Sequence, residues 1–269
     1  MSCLFGFIGS GNMGGALARA ACMTLDPKEV LLTNRTAAKA EALAAELGCR
    51  VAADNCQVAR EAKYIFLGVK PQMMAGMLSE IAPVLASRTD RFVLVSMAAG
   101  LRMEKLSAMA GGDYPVIRIM PNTPVAIGEG MVFYTPNDAV TAAEVDEFLS
   151  AMAAGGRFDR LEEGLLDAGT SVAGCGGAYA CLFLEALADG GVACGLPRAK
   201  AMEYAAQMLV GTAKLYLESG KHPGALKDEV CSPGGSTIQG VRALEKGGFR
   251  SAVFEAVIAA CEKTKDLGE

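Results

Sequence analysis

A chain of 269 residues suits one large domain or two smaller ones. With 52 % hydrophobic and 20 % charged residues it must bury a substantial core, which excludes a disordered chain. A formal net charge of -5 without a dense Lys/Arg run argues against a nucleic-acid partner, and a single histidine, His222, excludes a multi-histidine metal site.

The first residues contain Gly6, Gly9, Gly11, Gly14 and Gly15, which break any apolar run, and no basic region precedes them. They read as structure rather than as a targeting segment. No stretch reaches about 18 uncharged apolar residues, so no membrane span is expected. Nine cysteines, an odd count with no C-x-x-C pair, read as small buried hydrophobes in a reducing cytoplasm.

In chain order, "CLFGFI" reads as a short buried strand and "NMGGALARAAC" as a helix. "EVLLTN" is a strand and "TAAKAEALAAELG" a helix ending at Gly48. "YIFLGV" is an apolar strand, followed by the helix "PQMMAGMLSEI" with Pro71 in its first turn. "RFVLVSM" is a strand, "LRMEKLSAMAG" a helix and "VIRIM" a strand, while "GMVFYT" and "GRFDRL" extend the sheet around the helix "TAAEVDEFLSAMAA". Continuous apolar strands separated by helices indicate a parallel sheet covered on both faces. Residues 1–160 are therefore expected to form a Rossmann-like, doubly wound α/β domain.

After about Arg160 the strand pattern stops, and residues 161–269 read as an all-α domain. Its first helix, within residues 161–195, is apolar nearly all round and holds Gly169, Gly174, Gly176 and Gly177. Glycine inside a helix costs about 1 kcal/mol against alanine, so these positions imply close backbone approach to a helix or ligand. A helix apolar on every side must be buried on every side. A domain this small predicts a homodimer with intertwined helices. "PRAKAMEYAAQMLVGTAKLYLESG", a helix beginning near Ser236, and "FRSAVFEAVIAACEKTKDLG" complete it, with His222 in a turn-like setting that suits a surface or packing role.

"GFIGSGNMGGALA" places Gly9-x-Gly11-x-x-Gly14 between a strand and a helix, the setting of a dinucleotide-binding turn. Gly9 allows the tight turn, Gly11 lets the pyrophosphate approach the backbone, and Gly14 lets helix and strand pack closely. About 20 residues on, an NAD site usually shows an acidic residue. Here the strand ends in Thr33, Asn34, Arg35 and Thr36, and the Arg35 fork suits a 2′-phosphate, so NADPH is expected over NADH. The loops "GVKP" and "SMAAG" follow apolar strands where ligands bind. Lys70 reads equally as a phosphate or ribose ligand and as a solvated lysine.

A second glycine turn, "SPGGSTIQG", lies more than two hundred residues later. On spacing alone it reads as a capped helix after a turn, with Ser236 and Thr237 as the caps. The amides of Gly235, Ser236 and Thr237 also favour an anion, by about 0.3–2 kcal/mol of dipole energy. With the cofactor's phosphates placed at the first turn, a substrate carboxylate is the economical occupant.

"LKDEVCSPGGSTIQGVRALE" resembles the signature segment of the pyrroline-5-carboxylate reductase family. "GFIGSGNMG", "VKP", "SMAAG", "MPNTP", "DAGTSVAGCGGAYA" and "EALADGGVACGLPR" follow in that family's order. The resemblance implies NADPH-dependent reduction of 1-pyrroline-5-carboxylate to L-proline by a homodimer, or a ring of dimers, in the cytoplasm. It implies a cofactor site of Gly6, Phe7, Ile8, Gly9, Ser10, Gly11, Asn12 and Met13, with Asn34, Arg35, Asn55, Val69, Lys70, Pro71 and Ala98. It also implies substrate contacts from Glu163, Gly234, Gly235, Ser236 and Thr237, with the Thr237 hydroxyl on the ring nitrogen as the catalytic contact. No metal is implied.

The family pattern S-G-S-G-P-A-Y is altered to "AGCGGAY", with Cys175 for serine and Gly177 for proline, and "KDEV" has Glu229 where asparagine is common. Two rivals stand beside this reading. One is a β-hydroxyacid dehydrogenase, whose catalytic lysine on the long helix is missing between Leu165 and Cys194. The other is a cofactor-binding regulatory protein without turnover.

Overall fold

The structure is a computed structural model that describes residues 3–266. Strands β1 (Cys3–Ile8), β2 (Val30–Thr33), β3 (Arg50–Val51), β4 (Ala62–Leu67), β5 (Val93–Ser96), β6 (Val116–Met120), β7 (Gly130–Pro136) and β8 (Gly156–Arg160) form one sheet in the order β3-β2-β1-β4-β5-β6-β7-β8. The strands from β1 to β6 run parallel, as expected. β7 turns back antiparallel to β6, and β8 pairs parallel to β7. The connection 121–129 is shorter than the dozen or so residues that a parallel crossover needs, so β7 has to reverse.

Helices α1 (Asn12–Cys22), α2 (Ala37–Leu47), α3 (Asn55–Glu61), α4 (Pro71–Ser87), α5 (Met103–Ala110) and α6 (Ala142–Ala151) accompany the sheet. Successive strand residues enter opposite cores. Phe5, Phe7, Leu32, Tyr64 and Phe66 join one cluster with Leu17 and Phe148. Ile8, Leu31, Ile65 and Leu67 join another with Met74, Leu78 and Ile81. Both faces are apolar, which is why these strands read as unbroken hydrophobic runs. Phe7 stacks on Phe66 with ring centroids 4.2 Å apart, locking β1 to β4.

β3 and α3 were not evident in the sequence. β3 has only two residues, and α3 is nucleated by Asp54, whose carboxylate accepts from the Gln57 amide at 2.7 Å. α4 runs past its expected end at Ile81 and carries Pro83 inside it.

The helical run opens with a 3₁₀ turn (Glu163–Leu165), α7 (Leu166–Gly169) and a π turn (Thr170–Gly174). It continues with α8 (Gly176–Ala193), α9 (Arg198–Ser219), α10 (Pro223–Val230), α11 (Ser236–Lys246) and α12 (Phe249–Asp266). α10 was not anticipated either. His222 caps it, its Nδ1 accepting from the Gly224 amide at 3.0 Å, with Pro223 at the first helical position. The histidine therefore has a structural task.

The chain divides into two compact units. One extends to Cys175 and takes in the chain again from Ala260, and the other is Gly176–Ala259. The break falls later than the expected boundary at residue 160, because the opening of the helical run packs on the sheet. A Cβ on Gly169 would lie 2.9 Å from the Phe133 ring of β7. Within the second unit α8 and α9 pack at Gly191, where a Cβ would meet that of Ala201 at 3.2 Å. Tyr179 donates to the Ala256 carbonyl at 3.1 Å.

Residues 163–193 are long and apolar enough to cross a membrane by length and composition, although no such stretch was expected from the sequence. Small residues and widely spaced acids give the run that character. Its surface is correspondingly bare. Ala188 is the buried residue of α8, Leu182 is 68 % exposed, and Leu217 of α9 is 67 % exposed. Gly176 and Gly177 have nothing within 4 Å of the point where a Cβ would stand. A face of this kind requires an apolar partner.

α6 is tied to the segment before β5 by Glu144, which completes a capping box at Thr141 and accepts from Arg91 Nε at 2.6 Å and Nη2 at 2.9 Å. The Arg91 guanidinium holds the Glu144 carboxyl down at about 2, against an ordinary 4.5. A depressed carboxyl contributes stability above its unfolded value and loses it as pH falls through the folded value. Glu144→Ala is expected to destabilise the chain by about 2–4 kcal/mol at neutral pH. The gap from wild type should shrink between about pH 4.5 and pH 2, read from denaturation midpoints against pH.

Candidate functional site

The sheet order reverses between β1 and β4, and ligands of such sheets bind outside the carboxyl ends of the strands at that point. The loops after these two strands touch. The Gly68 amide donates to the Ile8 carbonyl at 2.8 Å, and a Cβ on Gly9 would stand 2.5 Å from the Gly68 oxygen. Gly9 itself has φ +100°. The amides of Gly9 and Ser10 both donate to the Thr33 carbonyl, at 3.0 and 3.2 Å, tying the glycine turn to the end of β2.

The three motif glycines have separate tasks. A Cβ on Gly14 would meet the Gly9 oxygen at 2.1 Å, so Gly14 sets how closely α1 approaches the turn. Gly11 is exposed, caps α1 without a side chain and has nothing within 4 Å of its Cβ position. Open space there leaves the amides of Asn12 and Met13 facing a cradle with no intrahelical partners. The Ser10 hydroxyl is buried without a partner among the described residues, and it lines a groove of about 560 Å³ together with Gly11, Asn12 and Lys39. An orphaned hydroxyl beside an open amide cradle fits a pyrophosphate.

Gly6, Phe7 and Ile8 lie within β1, paired to β2 and β4, and the side chains of Phe7 and Ile8 belong to the two cores. They support the turn from below. At the end of β2, Asn34 donates to the Thr36 carbonyl at 3.4 Å. Arg35 is exposed and touches Met73 of α4 through a 3.8 Å contact to sulfur, which an anion would readily displace. Lys70 is exposed as the N-cap of α4, and Pro71 is its first residue. Val69 packs on the second core, and Ala98 is buried in the loop after β5. Asn55 opens α3 and donates to Glu80 at 2.9 Å, so its amide is tied to α4.

Glu163 does not stand free. Its Oε1 accepts from the Met103 amide at 2.8 Å and from Arg118 Nη1 at 3.2 Å. Arg118, inside β6 and 1 % exposed, also reaches Asp167 at 3.3 Å. This buried arginine ties β6, α5 and the opening of the helical run together. Sequence reasoning passed over it, although a charge in the middle of the apolar strand "VIRIM" was the available signal.

In the second unit, Ser232 to Gly235 form a turn closed by the Gly235 amide donating to the Ser232 carbonyl at 3.0 Å, with Pro233 and then Gly234 at φ +71°. This is the type II pattern, in which the third position demands a left-handed backbone. Two expectations change here. Gly235, not Ser236 or Thr237, is the N-cap of α11, without a side-chain cap. The Gly235 amide is already used by the turn. The orphan donors are therefore the amides of Ser236, Thr237 and Ile238, with Ser236 and Thr237 exposed. α11 so presents outward amides at its start, with hydroxyl-bearing residues at its first two positions.

The family model described as "Pyrroline-5-carboxylate reductase dimerisation" matches residues 163–267, and "NADP oxidoreductase coenzyme F420-dependent" matches residues 4–100. The chain is 41 % identical to pyrroline-5-carboxylate reductase of Escherichia coli over 266 residues, 98 % of each chain. It is 40 % identical to that of Synechocystis over 271 residues, covering 100 % of both. Among solved structures, pyrroline carboxylate reductase of Plasmodium falciparum with NADP bound superposes with a TM-score of 0.87 at 32 % identity, covering 99 % of this chain and 98 % of that one.

The glycine assignments separate fold from binding. Gly14→Ala forces a Cβ onto the Gly9 carbonyl and is expected to cost about 2–4 kcal/mol in thermal unfolding. Gly11→Val meets open space, so the melting midpoint should stay within about 2 °C. Its affinity for NADPH, followed by nucleotide fluorescence, should fall at least about tenfold.

Proposed function

The chain belongs to the pyrroline-5-carboxylate reductase family, and from that premise we propose that it reduces 1-pyrroline-5-carboxylate to L-proline, the last step of proline biosynthesis, with NADPH as reductant. The observation that carries the reading is the presence of a second amide cradle, at the start of α11, in a chain whose nucleotide phosphates have the Gly9–Met13 turn.

NADPH supplies a hydride equivalent when bound. The amides of Gly11, Asn12 and Met13, with the Ser10 hydroxyl, hold the pyrophosphate. Arg35, with Asn34 beside it, would take the 2′-phosphate, and Val69, Lys70, Pro71 and Ala98 would hold the rest of the cofactor. Asn55, whose amide is held by Glu80, is the proposed contact to the ribose or adenine side. The amides of Ser236 and Thr237, with Gly234 and Gly235 shaping the turn, hold the substrate carboxylate, and the Thr237 hydroxyl meets the ring nitrogen. Glu163 holds Arg118 and the start of α5, and its proposed role toward the substrate is to position them.

A protonated imine is already electrophilic at the C=N carbon, so the site needs placement more than a strong acid. The sequence has no lysine between Lys105 and Lys200, as this chemistry permits and as a β-hydroxyacid dehydrogenase would not. Thr237 can orient the nitrogen and pass on a proton from water.

The dimerisation model from residue 163 and the bare apolar faces of α8 and α9 together support a homo-oligomer built on the helical segment. A homodimer, assembled further into a ring, is the proposed form. A reducing cytoplasm is the proposed compartment, which suits nine scattered cysteines, an odd count with no C-x-x-C pair.

The decisive assay follows NADPH consumption and proline formation with 1-pyrroline-5-carboxylate. Turnover on a β-hydroxyacid instead would overturn the proposal. Thr237→Ala should lower kcat/KM by about 10–100-fold while the NADPH dissociation constant stays within about twofold. Equal loss of both would reduce Thr237 to a role in the fold. For the assembly, Leu182→Glu places a charge on the most exposed large apolar residue of α8, and sedimentation should show a shift toward monomer.

A further inference from the structure

Cys22 is the last residue of α1, and Cys49 follows the left-handed Gly48 that ends α2. Their sulfurs lie 3.2 Å apart. A disulfide needs about 2.05 Å, so closure asks for a movement of only about 1 Å shared between two side chains. The register of the two helix ends is already set one turn earlier, where both Nη atoms of Arg19 meet both carboxylate oxygens of Glu46. Both cysteines are partly exposed, so a small oxidant can reach them.

The two thiols differ in character. The hydrogen bond between the two sulfurs holds the Cys22 thiol below the ordinary thiol range, while the same contact and burial push Cys49 up. One sulfur is thereby prepared as the nucleophile and the other as its partner.

We propose that Cys22 and Cys49 form a dithiol oxidation site that takes a small peroxide and closes into a disulfide. The Cys22 thiolate attacks one peroxide oxygen, the O–O bond breaks, and Cys22 becomes a sulfenic acid while the other oxygen leaves as water or alcohol. Cys49 then attacks the Cys22 sulfur, the S–O bond breaks, a water leaves, and the S–S bond forms. Two electrons pass from the thiols to the peroxide, so no further reactant is needed. α1 begins at the pyrophosphate cradle and α2 follows Arg35. A bond between their far ends, 27 residues apart in the chain, stiffens the nucleotide-binding half under oxidation. This site stands independently of the substrate assignment.

The test is to treat the reduced full-length protein with hydrogen peroxide and digest it with trypsin without reduction. A cross-linked pair of peptides 20–28 and 40–50 is expected, with two of the nine thiols lost. The melting midpoint should rise by about 5–10 °C and return with dithiothreitol. Cys22→Ser and Cys49→Ser should each abolish both the link and the rise. Absence of that link in the wild type, or an equal rise in either variant, would overturn the proposal.

Discussion

The contact between the loops after β1 and β4 governs the nucleotide half. Gly9 and Gly68 approach so closely that a Cβ on Gly9 would lie 2.5 Å from the Gly68 oxygen and one on Gly68 would lie 2.4 Å from the Gly9 oxygen. Neither position can carry a side chain without parting the two central strands. Once they are together, the Gly9 and Ser10 amides are turned onto Thr33, and α1 must start at Gly11 with its amides outward. The cradle is thus a consequence of strand packing. Phe7 stacked on Phe66 beneath it supplies the apolar contact that keeps β1 and β4 adjacent.

A second constraint lies at the other flank of the switch. Arg118, buried in β6, would be costly without partners, and Glu163 and Asp167 are the carboxylates that neutralise it. Both come from the opening of the helical run, so a charge buried in the sheet draws that segment onto the α/β unit. Gly169, which leaves room for Phe133, is the steric counterpart of the same attachment. This is why the compact unit extends to Cys175 rather than stopping where the strands stop.

The parts of the fold legible in the sequence were those set by local patterns. Five parallel strands, the helices read between them and the two glycine turns each carry their own signal within a few residues. What escaped depended on groups far apart in the chain. β3 is two residues long and exists because β2 offers it an edge, α3 rests on the Asp54 cap, and α10 on His222 acting as a cap, a role that histidine seldom advertises. The antiparallel β7 was hidden because a reversed strand has the same apolar pattern as a parallel one. Of the site, Gly9, Gly11 and Gly14 could be assigned separate tasks from their spacing. Glu163 could not, because its partner Arg118 lies 45 residues away.

The turn before α11 shows most directly how backbone geometry divides the chemistry. Had Ser236 been the cap, its side chain would have consumed an amide of its own helix. With Gly235 in that place, and its amide spent on closing the Pro233–Gly234 turn, the next three amides are left outward without any side chain to compete for them. The first helix, α1, follows the same plan with Gly11 as its cap and no side-chain bond. Two helix starts, each capped by glycine, thereby leave two sets of outward amides without a side-chain partner. Their difference lies in the two residues after the cap: Asn12 and Met13 at the first, and two hydroxyl residues, Ser236 and Thr237, at the second. The same glycine-capped geometry therefore presents different side-chain chemistry at its two occurrences: an amide and a thioether at α1, two hydroxyls at α11.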